Sequence, residues 1–558
     1  MKISAPSVGI NKSAAAMVSD TPLSYDREEA KERFRTETYD VVIVGGGITG
    51  AYAALDAVLR GYKVALVEKD DFASGTSSKS SKMVHGGLRY IEQGNLPLVR
   101  HSLLERQRLR RNAPHLVQRL PFLFPILKQG GILDSRLAKG FEALLWTYDL
   151  AGGWREGKLH QKLSKNEVLA RCPTFDTEQL QHGLLYFDAR TDDARLTLTI
   201  ARTAAFHGAT IANYAKAVNI VRRNGKIREA VVEMDGEEIP IRTTSVVMAA
   251  GVWLKDWDGA DKGVEKLNVR PAKGVHVAIP WNIIRNDCTV TIPVPGRSRR
   301  ATITRWGDVS VLGTTDDDYQ GDLDDVNVTQ DEMNFLLEGA MSALDINVSE
   351  KDVVGSIAGC RPLIAPPGGK TVEVKRNHEI RADPDGLVTV LGGKLTTARH
   401  MAEQTIDAVS EVLGKKKSSK TAKAYLLGGA SFDAQASVAT GGVAAHLAER
   451  YGTESMHVSD IIFKDPALSE PIVDGFPYLM GEVVYSARHE MARTVDDILS
   501  RRTRLRLHAR DKSAEAAPAV AAVLQAELGF SDQEKTNQIN NYLAATNRES
   551  QFLKGNIS

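Results

Sequence analysis

The stretch Val41-Val42-Ile43-Val44-Gly45-Gly46-Gly47-Ile48-Thr49-Gly50 decides the fold. Four β-branched residues run into glycines, and from Ile48 to Arg60 apolar residues recur at helical spacing until Gly61, which is placed as a C-terminal cap. Lys63 to Val67 reads as a second buried strand. Strand, glycine turn, helix and strand within about 30 residues make a βαβ unit, and such units build parallel sheets with helices on their faces. The glycines satisfy G-x-G-x-x-G: Gly45 makes the tight turn, Gly47 lets the backbone approach a pyrophosphate, and Gly50 permits close helix–strand packing. Phosphate charge then sits on the helix N-terminus. Glu68 ends the second strand where a ribose hydroxyl is expected, so the pattern reads as dinucleotide binding rather than as a plain glycine turn.

The following segment, Phe72 to Lys82, is rich in hydroxyls, and Thr76, Ser77, Ser78 and Ser81 are candidates to bond a long phosphate and ribityl chain. Two later strands, Val246 to Gly251 and Leu387 to Leu391 before Gly392-Gly393, read as returns to the same sheet, which makes the nucleotide domain discontinuous. Between them, Val275–Ile279, Ala301–Thr304 and Ser310–Gly313 read as strands of an interleaved antiparallel sheet. The expected fold class is α/β: a Rossmann-like nucleotide domain with that interleaved substrate domain over 39–413, a polar linker at 414–423, and a mostly helical domain over 424–558. A helix is expected from about Thr397 to Leu413 and another over Ala514–Leu528. Residues 1–38 are expected to be a mostly disordered extension, with an amphipathic arm around Tyr25 to Arg35 as the lesser alternative.

Across the 558 residues, Lys+Arg 71 balance Asp+Glu 70, leaving a net charge of +1, so no global field recruits nucleic acid. Hydrophobic content of 42% with 25% charged residues is that of a soluble globular protein. Cys172, Cys288 and Cys360 are odd in number and far apart, which points to a reducing cytosol and no thiolate metal site. The least polar run, Val41 to Leu59, holds glycines and Asp56, and no membrane-spanning segment is expected.

Several motifs recur in order, and together they resemble the FAD-dependent glycerol-3-phosphate dehydrogenases, of glycine-oxidase-like flavoprotein fold. The matching stretches are Gly45–Gly50, Val67–Lys82, His85-Gly86-Gly87-Leu88-Arg89-Tyr90, Pro271–His276, Gly313–Asp316, Ala358–Leu363 and Gly392–Thr397. Asp496 and Ser500-Arg501-Arg502-Thr503-Arg504 resemble the family's C-terminal cap domain. Ala398 and His400 depart from the usual pattern after the threonine pair, and Val275 and Cys360 are also unusual. The resemblance implies FAD as cofactor, held by Gly45, Gly47, Gly50, Glu68, Thr76, Ser77, Ser78, Ser81, Gly251, Gly393, Lys394, Leu395 and Thr396. It further implies oxidation of sn-glycerol 3-phosphate to dihydroxyacetone phosphate, with electrons passed to a membrane quinone.

Such a substrate needs fixed cations for its phosphate and a proton acceptor near its carbinol. Arg89, Tyr90, His276, Arg361 and Lys394 in the matching motifs, and Arg376 in Lys375-Arg376-Asn377-His378, are its binding residues by that resemblance, and each hydrogen bond to a charged phosphate oxygen contributes roughly 1.5–3 kcal/mol. His276 is the candidate base, Arg361 the stabiliser of a developing alkoxide, and Lys394 a cation for flavin or substrate. An oxidase using O₂ on the same substrate, and an amine or amino-acid oxidase on the same fold, are the rival readings. Two basic stretches, Arg100–Arg119 and Arg501–Arg506, read either as solvated faces with internal ion pairs, which is the favoured reading, or as a surface on anionic lipid at the inner face of the cell membrane. The expected location is cytoplasmic, and the oligomeric state, homo-oligomer included, stays open.

Overall fold

In the computed structural model, which describes residues 22–92, 94–128, 135–255, 257, 269–293, 300–364, 378–433 and 441–554, the strand Val41–Val44 pairs in parallel with Val64–Val67, in register from Val41 opposite Val64 to Val44 opposite Val67. All eight of these residues are buried, as the near-continuous apolar runs of a two-sided parallel sheet require. Val246–Met248 joins the other side of Val41–Val44, and Leu387–Gly392 joins beyond it, both parallel. Thr210–Ala212 and the antiparallel His378–Ala382 close the two edges of this six-stranded sheet. The helix Ile48–Leu59 packs on one face, and Gly50 is required there because a Cβ would come within 1.9 Å of the Gly45 carbonyl oxygen. Helices Asp193–Phe206 and Ala398–Val412 flank it in the same layer.

A four-stranded sheet, Ala215–Arg223, Lys226–Met234, Glu237–Thr243 and Thr38–Tyr39, covers the other face of the parallel sheet. The interleaved domain is a ten-stranded mixed sheet in which the long strand Val269–Pro280 pairs antiparallel with Val309–Gly313 and with Gly355–Ile364. Its far side is covered by the helix Gln330–Ala343, which starts on a Thr329/Glu332 capping box. Helices Gly442–Tyr451, Ser455–Lys464, Met480–His489, Arg510–Leu528 and Asp532–Lys554 form the C-terminal domain around their own core. Among the described residues no helix is long and apolar enough to cross a membrane.

Two expectations change. Residues 1–21 lie outside the described residues, but Arg27–Thr36, expected within a mostly disordered extension, is a helix capped by Asp26. It is held by Arg27 and Lys31 on Asp235 and by Phe34, fully buried. Residues 415–421 do not run free: Lys415 bonds Asp40, Lys417 the Gly61 carbonyl, and Ser419 Asp56. Arg501, Arg502, Arg504 and Arg506 are each paired with carboxylates such as Asp71, Asp193, Asp496 and Glu549. In the first basic stretch Arg106 is fully buried against Asp188, and Glu105 is clasped by Arg108 and Arg399. Internal ion pairing, the blander reading of both stretches, describes these groups.

Candidate active site

A cavity of about 620 Å³ runs between the parallel sheet and the interleaved sheet. Its wall at the parallel sheet starts with the glycine turn. Gly45 has φ +111°, and a Cβ there would stand 2.6 Å from the Ala249 carbonyl oxygen, so the turn can be this tight only without a side chain. The Ile48 N–H, at the helix N-terminus, is capped by the Ser77 hydroxyl at 2.9 Å. Glu68 accepts from the Gly46 N–H at 2.5 Å and the Asp70 N–H at 3.0 Å. Burial pushes its carboxyl up to about 7 despite those two donors.

The hydroxyl loop divides by geometry. The short 3₁₀ turn Thr76–Ser78 sends Thr76 and Ser77 to the cavity, Thr76 bonding the Cys360 carbonyl at 2.6 Å. Ser78 is rotated away, buried, with its carbonyl accepting from Lys82 and Arg504. Ser81 lines the cavity and meets His276 Nε2 at 2.9 Å. Gly47, Gly251, Gly393, Leu395 and Thr396 also line it, whereas Gly50 serves helix packing.

The remaining walls carry cations. The Lys394 ammonium sits 3.7 Å over the Tyr90 ring, and both line the cavity. The Arg361 guanidinium lies flat against Gly274, where a Cβ would come within 2.5 Å of it, and donates to Thr314 Oγ1 at 3.0 Å, the Thr315 carbonyl at 3.3 Å and Asp316 at 3.2 Å. Arg300 lines the same space, with its guanidinium 5.6 Å from the Phe124 ring centroid. Arg376 lies outside the described residues, as does the side chain of Arg89, which opens the short helix Arg89–Glu92.

His276 is not on the cavity wall. It is 4% exposed, and its ring packs one layer back, behind Gly313 and the Ser81 hydroxyl, both of which line the cavity. Burial, with Arg361 and Lys82 adding repulsion, pushes its pKa down to about 3. An imidazole that weakly basic is a poor proton acceptor at neutral pH. His85 does line the cavity, and its backbone N–H is fixed by Thr396 Oγ1 at 3.2 Å. The next residue is held as well: the Gly86 N–H donates to Asp188, which Arg106 and the Tyr148 hydroxyl also bond. His85 belongs to the His85-Gly86-Gly87 motif, but the motif alone does not tell a cavity histidine from a buried one. Arg300, in no quoted motif, left no signal.

The residues fit FAD. The glycine turn at a helix N-terminus would receive a diphosphate, Glu68 a ribose, and the hydroxyl loop with Gly393-Lys394-Leu395 the remaining length. Comparison with known proteins agrees. A family model described as FAD dependent oxidoreductase matches residues 40–408, and one described as the C-terminal domain of alpha-glycerophosphate oxidase matches 419–535. Fold and site thus define an FAD-dependent oxidoreductase. Glycerol-3-phosphate dehydrogenase 2 of Mycobacterium tuberculosis is 35% identical over 538 residues, covering 94% of this chain and 90% of that protein. The mitochondrial glycerol-3-phosphate dehydrogenase of Homo sapiens is 32% identical, covering 90% of this chain and 72% of that one. The crystal structure of the Bacillus halodurans glycerol-3-phosphate dehydrogenase complexed with FAD superposes with a TM-score of 0.76 at 27% identity, over 94% of this chain and 97% of that chain. The chain belongs to the FAD-dependent glycerol-3-phosphate dehydrogenase family.

Proposed function

We propose that the protein oxidises sn-glycerol 3-phosphate to dihydroxyacetone phosphate and passes the electrons to a membrane quinone. The observation that carries this reading is the convergence of Lys394, Arg361, Arg300, Tyr90 and His85 on one cavity that also takes in the glycine turn. Several cations suit a phosphate dianion; an amino-acid oxidase needs a single carboxylate anchor instead. FAD, when bound, supplies the acceptor for the hydride that leaves the carbinol carbon. His85 takes the hydroxyl proton, replacing His276 in that role, and Arg361 or Lys394 offsets the negative charge that develops on the oxygen. Neutral His276 orients the Ser81 hydroxyl at the cavity wall.

The lipid reading moves from the arginine stretches to the segment Ser135–Leu159. Trp146, Leu150, Trp154 and Leu159 are 50%, 79%, 56% and 45% exposed, and Lys139, Lys158 and Arg155 flank them. Exposed tryptophans among cations are the signature of an interfacial surface. The helix Ser135–Ala151, which carries Trp146 and Leu150, buries its opposite face, Phe141, Leu145 and Tyr148, in the cluster that contains Phe124, which Arg300 overlies from the cavity. A quinone in the bilayer therefore approaches from the side nearest the cations. The test is reoxidation of the substrate-reduced enzyme: a short-chain quinone should act fast and air slowly, and reoxidation by air as fast as by quinone would assign the protein to the oxidases.

A further inference from the structure

Asp71 stands three residues beyond Glu68, at the start of the loop that walls the FAD cavity, and is 0% exposed. Asn213 Nδ2 donates to it at 3.0 Å from within the nucleotide domain, and its charged partners come from the C-terminal domain. Arg502 grips it bidentately, Nη1 to Oδ2 at 2.7 Å and Nη2 to Oδ1 at 2.9 Å, and Arg501 Nε adds a third bond at 2.6 Å. The two arginines sit in a π-helical turn, Asp497–Arg502, a rare geometry that occurs disproportionately at functional sites. The turn is braced by Asp497, which accepts from Arg501 Nη2, the Tyr214 hydroxyl and the backbone N–H groups of Arg493 and Thr494. Against the cost of its burial, Arg502 and Arg501 hold the Asp71 carboxyl below its ordinary range.

From Asp71 the chain goes directly to the cofactor cradle. The Phe72 ring abuts Gly46, where a Cβ would meet it at 2.5 Å, and the Ala73 N–H donates to the Gly46 carbonyl at 3.2 Å. Ala73 to Ser77 then line the cavity. The far end of the loop is held from the same domain: Arg504 Nη1 donates to the Ser78 carbonyl at 3.2 Å while its other nitrogens hold Asp192 and Asp193. Asp193 in turn accepts from the Ser80 N–H, the Ser80 hydroxyl and Lys82.

We infer that Arg502, Arg501 and Arg504 of the C-terminal domain are positioning residues for FAD: they clamp both ends of the cradle loop, so that cofactor binding is coupled to this clamp and not to docking of the C-terminal domain as a whole. The physical reason is reciprocity. An ordered loop binds FAD without further loss of freedom, and bound FAD holds Asp71 and Ser78 where the arginines meet them. The inference concerns FAD alone and stands whatever the substrate is.

The experiment titrates FAD into apo-protein of the wild type, Arg502→Met, Asp71→Asn and Arg202→Met, following flavin fluorescence. Arg202 is the control, because it too bridges to the C-terminal domain, through a bidentate pair with Glu454 at 2.8 and 3.0 Å, but from the helix Asp193–Phe206 and not from the loop. Arg502→Met and Asp71→Asn should weaken FAD about tenfold or more, and Arg202→Met should not. Unchanged FAD affinity in folded Arg502→Met, or equal loss in Arg202→Met, would overturn the inference. A second measurement covers an Arg502 variant that does not fold: in the wild type, FAD should slow hydrogen–deuterium exchange at Asp497–Arg504, and exchange there that ignores FAD would also overturn it.

Discussion

Acidification should unfold this protein through three particular histidines. His115, His276 and His508 are 2%, 4% and 6% exposed, and each has one ring nitrogen with no hydrogen-bond partner among the described residues. Burial pushes all three from 6.5 down to about 3, with Arg195 opposing charge on His115, Arg361 and Lys82 on His276, and Arg504 on His508. A depressed histidine means that the unfolded chain binds the proton first, so its contribution to stability is complete above 6.5 and is lost as pH falls from there toward about 3. Each such group removes ~1.4 kcal/mol per pH unit in that window, and three remove ~4 kcal/mol per unit, against a total stability of about 5–15 kcal/mol. Apparent unfolding free energies from urea titrations at about pH 5.5, 5.0 and 4.5, where these histidines are almost fully protonated in the unfolded chain, would measure the slope. His115→Gln, His276→Asn and His508→Gln should each lower it by ~1.4 kcal/mol per unit. Variants with the wild-type slope would refute the reasoning, because a buried neutral imidazole cannot be removed without changing proton uptake on unfolding.

Arg361→Met should keep its flavin and lose roughly 10- to 150-fold in kcat/KM, the worth of one or two bonds to a phosphate oxygen; purification as apo-protein would show that the guanidinium serves FAD. Gly47→Val puts a side chain against the Ser77 hydroxyl, where even a Cβ would stand 3.1 Å away, and into the cavity. It should fold with native circular dichroism but without FAD, and stoichiometric flavin in the purified variant would contradict the placement of the turn.

The parallel sheet was legible because burial on both faces leaves unbroken apolar runs, and because Gly45, Gly251 and Gly392 punctuate the strand ends where a ligand approaches. The helix Arg27–Thr36 was legible only as the lesser alternative, an arm around Tyr25 to Arg35, since its charges look solvated until Asp235, about two hundred residues on, is seen to pair with Arg27 and Lys31. Arg502 and Asp71 make the same point: they are 431 positions apart, and a local reading of four arginines finds only a charged face. Ser78 was assigned with Thr76 and Ser77 because composition treats hydroxyls alike, while a 3₁₀ turn points successive side chains in different directions. His276 and His85 could not be separated by motif at all. What separates them is one layer of packing, which places His85 on the cavity wall and His276 behind Ser81.

The most direct test of the central claim is the rate of flavin bleaching under anaerobic conditions after mixing holoenzyme with glycerol 3-phosphate, with glycerol as the comparison, in the wild type, His85→Asn and His276→Asn. The account predicts fast bleaching of the wild type by glycerol 3-phosphate and none by glycerol, a loss of about 10²–10⁴-fold in His85→Asn, and near wild-type bleaching in His276→Asn from about pH 6 upward, where an imidazole with pKa about 3 stays neutral. Equal bleaching by glycerol, or a bleaching rate that falls in His276→Asn and not in His85→Asn, would contradict it.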